Sequence, residues 1–313
     1  MAKNDINETS LDMLKEITDW EGLFDGAYSI RQDGTCADMR STETIRIVPK
    51  TDNPGIDIYI SAGKKKDTVY IPACVTKSGV DDVVYNDFHV QKDADVIIVA
   101  GCGVHTTDDE GARHNGIHRF FLEPGSHVLY KEKHIGKGVG NGIRTIDPVT
   151  DIVLGENAVL EMDTQQLSGV DKTIRKTKAK LDRGAKLVIH ESILTDADNV
   201  AETDFEVVME GEDSAVDLIS RSVAKGESRQ AYHSHIIGNC RCTGHSECDA
   251  ILVGNGKVDA SPALYAGDLD AALIHEAAIG KIAGEQIIKL QTLGLTEEEA
   301  EEKIIEGFLT GVE

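Results

Sequence analysis

KDADVIIVA at 92–100, EPGSHVLYKEK at 123–133, GENAVLEMD at 155–163, DRGAKLVIH at 182–190 and GEDSAVDLIS at 211–220 are variations on one phrase. Each passes from a turn through a small residue into an alternating aliphatic run. The small residues are Ala94, Ser126, Ala158, Ala185 and Ser214, at steps of 32, 32, 27 and 29 residues. A loose period near 30 belongs to a solenoid, in which each coil hides its inner face only against its neighbours. No long amphipathic helix separates the units, which argues against a parallel sheet built from strand–helix–strand crossovers. The expected fold is mainly β: a parallel β-helix core with an N-terminal α/β segment and C-terminal helices. A large β-sandwich with similar turns is the competing arrangement.

To either side the texture changes. Residues 1–45 read as a helical start, with Thr9 and Asp12 as a capping pair before LDMLKEI and an exit at the Asp33-Gly34 turn. TIRIVP, GIDIYIS and DTVYIPA then show the period-two alternation of strands. From Glu276, EAAIGKIAGEQIIKLQTLG has helical spacing and stops at Gly294, and Thr296 with Glu299 forms a capping box before TEEEAEEKIIEGFL. That second helix places Ala300, Ile304 and Phe308 on one stripe. The division expected is 1–90 for an N-terminal helical and β segment, 91–276 for the β-helix, and 277–313 for a helical segment.

Composition narrows function. Acidic residues outnumber basic ones 55 to 32, a formal charge of −23, which is the wrong sign for holding nucleic acid or an anionic membrane. MAKNDINETSLDML lacks the apolar core of a signal peptide, and no apolar run approaches the length of a membrane span. The expectation is a cytoplasmic protein whose cysteines are thiols or metal ligands. Aromatic residues are only 4%, so the core has to be aliphatic.

Three constellations carry chemistry. CRCTGHSECDAIL at 240–252 gathers Cys240, Cys242, His245 and Cys248, half of the six cysteines. Thiolates with an imidazole select zinc, copper(I) or iron–sulfur centres, yet C-x-C-x2-H-x2-C matches no zinc-finger spacing. Buried thiols in a small-residue strand are the plain alternative. The stretch CGVHTTDDEGARHNGIH contributes Cys102, His105, His114 and His118, with zinc-like spacing but strand and loop texture. LIHEAAIGK sets His275 and Glu276 where the last strand meets the first C-terminal helix. GKGVGNG at 136–142 lacks the Lys-Ser/Thr of a P-loop, so any ATP chemistry falls to a partner.

SECDAILVGNGKVDASPAL, followed by LDAALIHEAAIGKIAGEQIIKLQTLGLTEEEAEEKIIEGFL, closely resembles the C-terminal half of the SufB/SufD family of iron–sulfur cluster assembly proteins. The likeness is strongest over roughly 150–310 and reaches back to about 90. It implies a right-handed parallel β-helix, pairing as a homodimer or as a SufB/SufD-like pair. It also implies C-terminal helices that dock a SufC-type ABC ATPase, with Ile304, Ile305 and Phe308 as contacts. Carried over residue by residue, the cysteine thought to hold the nascent cluster falls on Cys248, and the family's HEA segment puts its ligands at His275 and Glu276. Cys248 and Glu276 make the chain SufB-like. It is shorter than a typical SufB and lacks the N-terminal CxxC-type motif. Cys240, Cys242 and His245 have no family counterpart and stand as possible additional ligands. The implied role is a scaffold holding a labile iron–sulfur cluster, with ATP used only by the partner, sulfur from a donor, and apo-proteins as acceptors. A SufD-like adaptor without a cluster is the alternative, and a zinc enzyme on a solenoid is a third reading.

Overall fold

The structure, a computed structural model, describes residues 6–310 apart from 20, 21, 23, 64 and 65, so the outermost residues of both expected terminal segments lie outside the described residues. Helix α1 (Glu8–Thr18) precedes two hairpins, β1 (Ala27–Gln32) with β2 (Thr35–Arg40), and β3 (Ile45–Pro49) with β4 (Gly55–Ile60). The chain then winds through β5 (Asp67–Val75), β6 (Asp81–Val90), β7 (Asp95–His105), β8 (Ala112–Leu122) and β9 (His127–Lys137). It continues through β10 (Arg144–Ile146), β11 (Val149–Leu154), β12 (Val159–Ser168), β13 (Lys172–Leu181), β14 (Lys186–Thr195) and β15 (Val200–Met209). The last coils are β16 (Ala215–Ala224), β17 (Arg229–Gly238), β18 (Thr243–Leu252), β19 (Lys257–Ala266) and β20 (Ala272–Gly280), followed by α2 (Gly284–Gln291) and α3 (Glu297–Thr310).

Successive strands alternate between two facing sheets. Sheet A has the order β2-β1-β5-β7-β9-β12-β14-β16-β18-β20, and sheet B runs β19-β17-β15-β13-β10-β8-β6-β4-β3, with β11 also between β13 and β8. From β5 onward all pairings among the described residues are parallel, and the ladders keep one register apart from a shift between Gln166 and Ser168 in β12, giving a β-solenoid of about eight turns. The ladders β5–β7 and β6–β8 join residues before position 90 to residues after it.

The repeated phrase is the corner of each coil. Asp93, Gly125, Asn157, Gly184 and Asp213 all take positive φ, between 56° and 71°, which Gly, Asn and Asp tolerate best. The small residue that follows each of them is at most 1% exposed, because it faces the interior at the tightest point of the bend. In-register stacking then builds inward columns. Val96, Val128, Leu160, Leu187 and Val216 form one aliphatic column, and Ile98, Tyr130, Met162, Ile189 and Leu218 the next.

The N-terminal expectation needs correction. The helix covers only Glu8–Thr18, and the Asp33-Gly34 turn closes the β1–β2 hairpin. Asn7, not Thr9, is the N-cap, accepting from Ser10 N at 2.8 Å. Helix α1 buries Met13, Leu14 and Ile17 against sheet A. It fits because Gly101 and Gly103 carry no side chain: a Cβ on Gly103 would stand 2.5 Å from Met13 Sδ.

At the other end, Glu276 to Gly280 are strand and not helix, since β20 continues the sheet A ladder to Gly280. The expected capping box of α3 does form, with Glu299 N donating to Thr296 Oγ1 at 3.1 Å and Thr296 N to Glu299 Oε2 at 2.8 Å. The apolar face of α3 is centred one row over from the expected stripe. Ala300, Ile305 and Leu309 are buried, while Ile304 and Phe308 are half-buried. No described helix is long and apolar enough to cross a membrane. Replacing Gly103 with Val forces two methyl groups into Met13. The expected loss is about 1–3 kcal/mol of stability, read from the urea midpoint, with the solenoid's circular-dichroism signature retained.

Candidate functional site

Strand β18 decides what the cysteine cluster is. Thr243–Leu252 is one continuous strand, not two segments broken at Gly244. Gly244 faces inward because a Cβ there would lie 2.8 Å from Leu273 Cδ2 and 3.0 Å from Ile236 Cγ2. Alternation therefore sends Gly244, Ser246, Cys248 and Ala250 inward and His245, Glu247 and Asp249 outward. His245 Nδ1 pairs with Asp217 Oδ1 at 2.8 Å on the outer face.

Cys242 is the corner residue of its coil. It precedes β18 as Ser214 precedes β16, with Thr243 N donating to Ser214 O and Ala272 N to Cys242 O. Cys240 sits in the same corner, its Sγ 3.1 Å from Gly211 O. Burial and the neighbouring Cys240 push the Cys242 thiol up to about 11. Six residues of strand separate Cys242 from Cys248, about 20 Å, so the two thiols cannot share one ion.

Cys248 and His275 do come together. In register, Ser246 faces His275 and Cys248 faces Ala277, so His275 is the diagonal neighbour of Cys248 on the inward face. The spacing is about 8 Å between Cα atoms, the ordinary diagonal distance in a sheet and near enough for both side chains to reach one centre. Cys248 is 1% exposed, and burial, with Glu191 and Asp249 adding negative potential, pushes its thiol up to about 12. His275 Nδ1 is buried without a hydrogen-bond partner among the described residues. Glu276 lies on the opposite face of β20, in register with Glu247. Burial and Asp249 raise the Glu247 carboxyl above its ordinary range. The other side of β20 is an unpaired sheet edge, as is that of β19. The solenoid ends at β20, which carries His275, one strand beyond the buried Cys248.

A family model described as SUF system FeS cluster assembly, SufBD core domain, matches residues 83–308, from β6 into α3. The chain belongs to the SufBD family. It is 29% identical over 237 residues to an iron–sulfur cluster assembly SufBD family protein of Methanothermobacter thermautotrophicus, covering 74% of this chain and 56% of that one. A SufBD family protein of Archaeoglobus fulgidus is 29% identical over 272 residues, 85% of this chain and 71% of its own length. One from Methanocaldococcus jannaschii is 23% identical over 299 residues, covering 91% and 90%. The chain thus spans just over half the length of the Methanothermobacter relative.

Inside this SufBD solenoid runs a polar array. The third inward column reads Ala100, Glu132, Thr164, Glu191, Ser220, Cys248 and Ala277. Arg175 on sheet B bridges two of its carboxylates, with Nη1 at 2.9 Å from Glu132 Oε2 and Nε at 3.1 Å from Glu191 Oε1. Burial works to raise the Glu132 carboxyl, but His134, Arg175 and His118 override it and hold it well below its usual range. Glu191 also accepts from Ser220 Oγ at 3.0 Å and Thr203 Oγ1 at 3.1 Å; burial still leaves it raised.

Of the 102–118 histidines, His114 and His118 are committed to the same interior, while His105 leaves β7 on the outer parity. His114 Nδ1 pairs with Asp82 Oδ2 at 3.1 Å, and His118 Nδ1 with Tyr130 OH at 2.8 Å. Burial lowers His118 to about 4, so it is a neutral imidazole. Strand β8 begins at Ala112, so ARHNG is strand and not loop. Sequence reading missed Glu132, Arg175 and Glu191, although each stands at the inward parity of its strand.

Two outcomes follow. Arg175→Met leaves two buried carboxylates uncompensated and lowers unfolding free energy by about 3–5 kcal/mol in a urea titration. Iodoacetamide at about pH 8 labels the exposed Cys36 well before Cys248, whose thiol is protonated there. Cys248 labelling, followed by peptide mass spectrometry, rises only with denaturant or as pH approaches its raised value.

Proposed function

We propose that this SufBD chain is a cytoplasmic scaffold on which a nascent iron–sulfur cluster is built at the open end of the solenoid and passed to apo-proteins. One observation carries the reading. A buried thiol, Cys248, and an imidazole with an unsatisfied Nδ1, His275, share the inward face beside an unpaired strand edge. A thiolate binds iron directly or, by attacking the outer sulfur of a donor persulfide, takes up that sulfur as the donor's thiolate leaves, and an imidazole is a more labile iron ligand that allows release. Glu276 offers an oxygen ligand on the outer face of the same strand, reachable from a second chain docked on the open edge. That second chain is another copy or a SufD-like partner. Cys240, Cys242 and His245 serve the fold in this reading and stay outside the ligand set.

A SufC-type ABC ATPase supplies the ATP chemistry, and a separate donor supplies sulfur. Helix α2 buries none of its residues, exposing Ile288, and with α3 it borders an open groove lined by Ile282, Ile287, Glu297 and Glu301. The ATPase docks there and on Ile304 and Phe308. Ile305 contributes from beneath, anchoring α3 together with Leu309 against Val223. Among the described residues strand β20 is hydrogen-bonded only to β18 and leads into α2, so force on α2 lifts β20 and uncovers Cys248. The adaptor reading draws on one fact, that Cys248 is closed off within the single chain.

Anaerobic co-expression with the ATPase, then iron and acid-labile sulfide analysis, separates the two. The scaffold reading expects both elements on wild type, their loss in Cys248→Ala and a reduced yield in His275→Ala. Equal content in wild type and Cys248→Ala overturns it, and an empty chain that still carries the ATPase establishes the adaptor.

A further inference from the structure

We propose that Glu202, Asp204 and His233 form a divalent-cation site on the outer face of sheet B, separate from Cys248 and His275. Strands β15 and β17 pair with Asp204 opposite His233 and Glu202 opposite Ala231. Glu202 and Asp204 are two apart on one strand and so leave the same face, and His233 joins them from the next strand. One oxygen of each carboxylate and one ring nitrogen all lie within 4.8 Å of one another. An ion about 2.0–2.2 Å from each ligand closes that gap with small side-chain movements. Ala231 presents only a methyl beside Glu202, which leaves room for water on the ion. On the far side β19 places Asp259 and Ser261 in the same two rows.

A second trio on the same sheet gives the comparison that decides. Asp57, Asp87 and His89 converge just as closely, but the protein supplies their cations itself. Lys50 Nζ lies 2.8 Å from Asp87 Oδ2 and also meets Asp57, and Arg119 Nε is 2.7 Å from Asp87 Oδ1. Around Glu202, Asp204 and His233 no lysine or arginine forms an ion pair among the described residues. Lys176 stands in register with Asp204, yet its ammonium makes no ion pair with it. Two carboxylates held together without a cation repel one another, and a divalent ion is the group that turns this into attraction. The solenoid neutralises one trio internally and leaves the other to an ion.

Two carboxylates and an imidazole with open positions suit Fe2+, Mn2+ or Zn2+, and disfavour copper(I), which selects sulfur. The three side chains are half-buried, so exchange with solvent is open.

The test titrates Mn2+ into the full chain and follows the free-ion signal by electron paramagnetic resonance. Saturable binding of about one equivalent is expected, weakened at least about tenfold by His233→Ala and by Asp204→Asn. Both side chains face outward, so circular dichroism should show both variants folded. Cys248→Ala should bind Mn2+ as wild type does, which keeps this site's failure distinct from failure of the cluster reading. No saturable binding by wild type overturns the proposal, as does unchanged binding in both variants. Binding that appears only in Lys176→Ala also overturns it, because Lys176 is then the neutralising partner.

Discussion

In-register stacking governs this molecule. Once parallel strands repeat without slippage, each inward side chain sits on the inward side chain of the coils above and below, about 4.8 Å away. An aliphatic residue placed inward therefore calls for aliphatic neighbours, and a charged one for a partner within reach. The columns beginning at Val96 and Ile98 satisfy the first demand. The column through Glu132 and Glu191 satisfies the second only because Arg175 projects between them from the opposite sheet. Buried charges of this kind add little net stability and are costly to leave single. Their placement at matched rows also ties the register of sheet A to that of sheet B.

The same constraint positions the chemistry. Cys248 continues the polar column, and His275 ends the adjacent one, at the coil that has no successor. Most interior polar side chains elsewhere are bonded within the solenoid, Ser214 Oγ at a corner being an exception. Here the stack stops, and His275 Nδ1 is left without a partner. The open end is one place where the solenoid's own bonding is incomplete, and the proposed scaffold role has another chain or a bound cluster complete it there. The ladder is thinnest there, with β20 paired on one side only and joined to helices that bury little of themselves.

Much of this was legible in the sequence. The corner phrase holds αL-tolerant and small residues because the bend admits few others, so it survives in one-dimensional text. The Thr296–Glu299 box is local chemistry and was readable for the same reason. What failed depended on neighbours distant in the chain. EAAIGK has helical spacing by itself but becomes strand because β18 offers a free edge. Cys240 and Cys242 look like neighbours of Cys248 in the text, but they lie in the corner and a length of strand holds them apart from it. Ile305 replaces Ile304 at the centre of the buried helix face because Val223 of the solenoid meets it there. The inward carboxylates were within reach of a parity count, which shows Glu132 at the phase of Val128 and Tyr130.

The central claim is that the open end, and not the cysteine-rich corner, holds the cluster through Cys248 and His275. Pulsed electron paramagnetic resonance on the reduced, cluster-loaded chain, labelled with 15N-histidine, tests it most directly. The account predicts a strongly coupled nitrogen that disappears in His275→Ala and persists in Cys242→Ala. A cluster signal with no histidine coupling, or one lost with Cys242 and kept without His275, would contradict it.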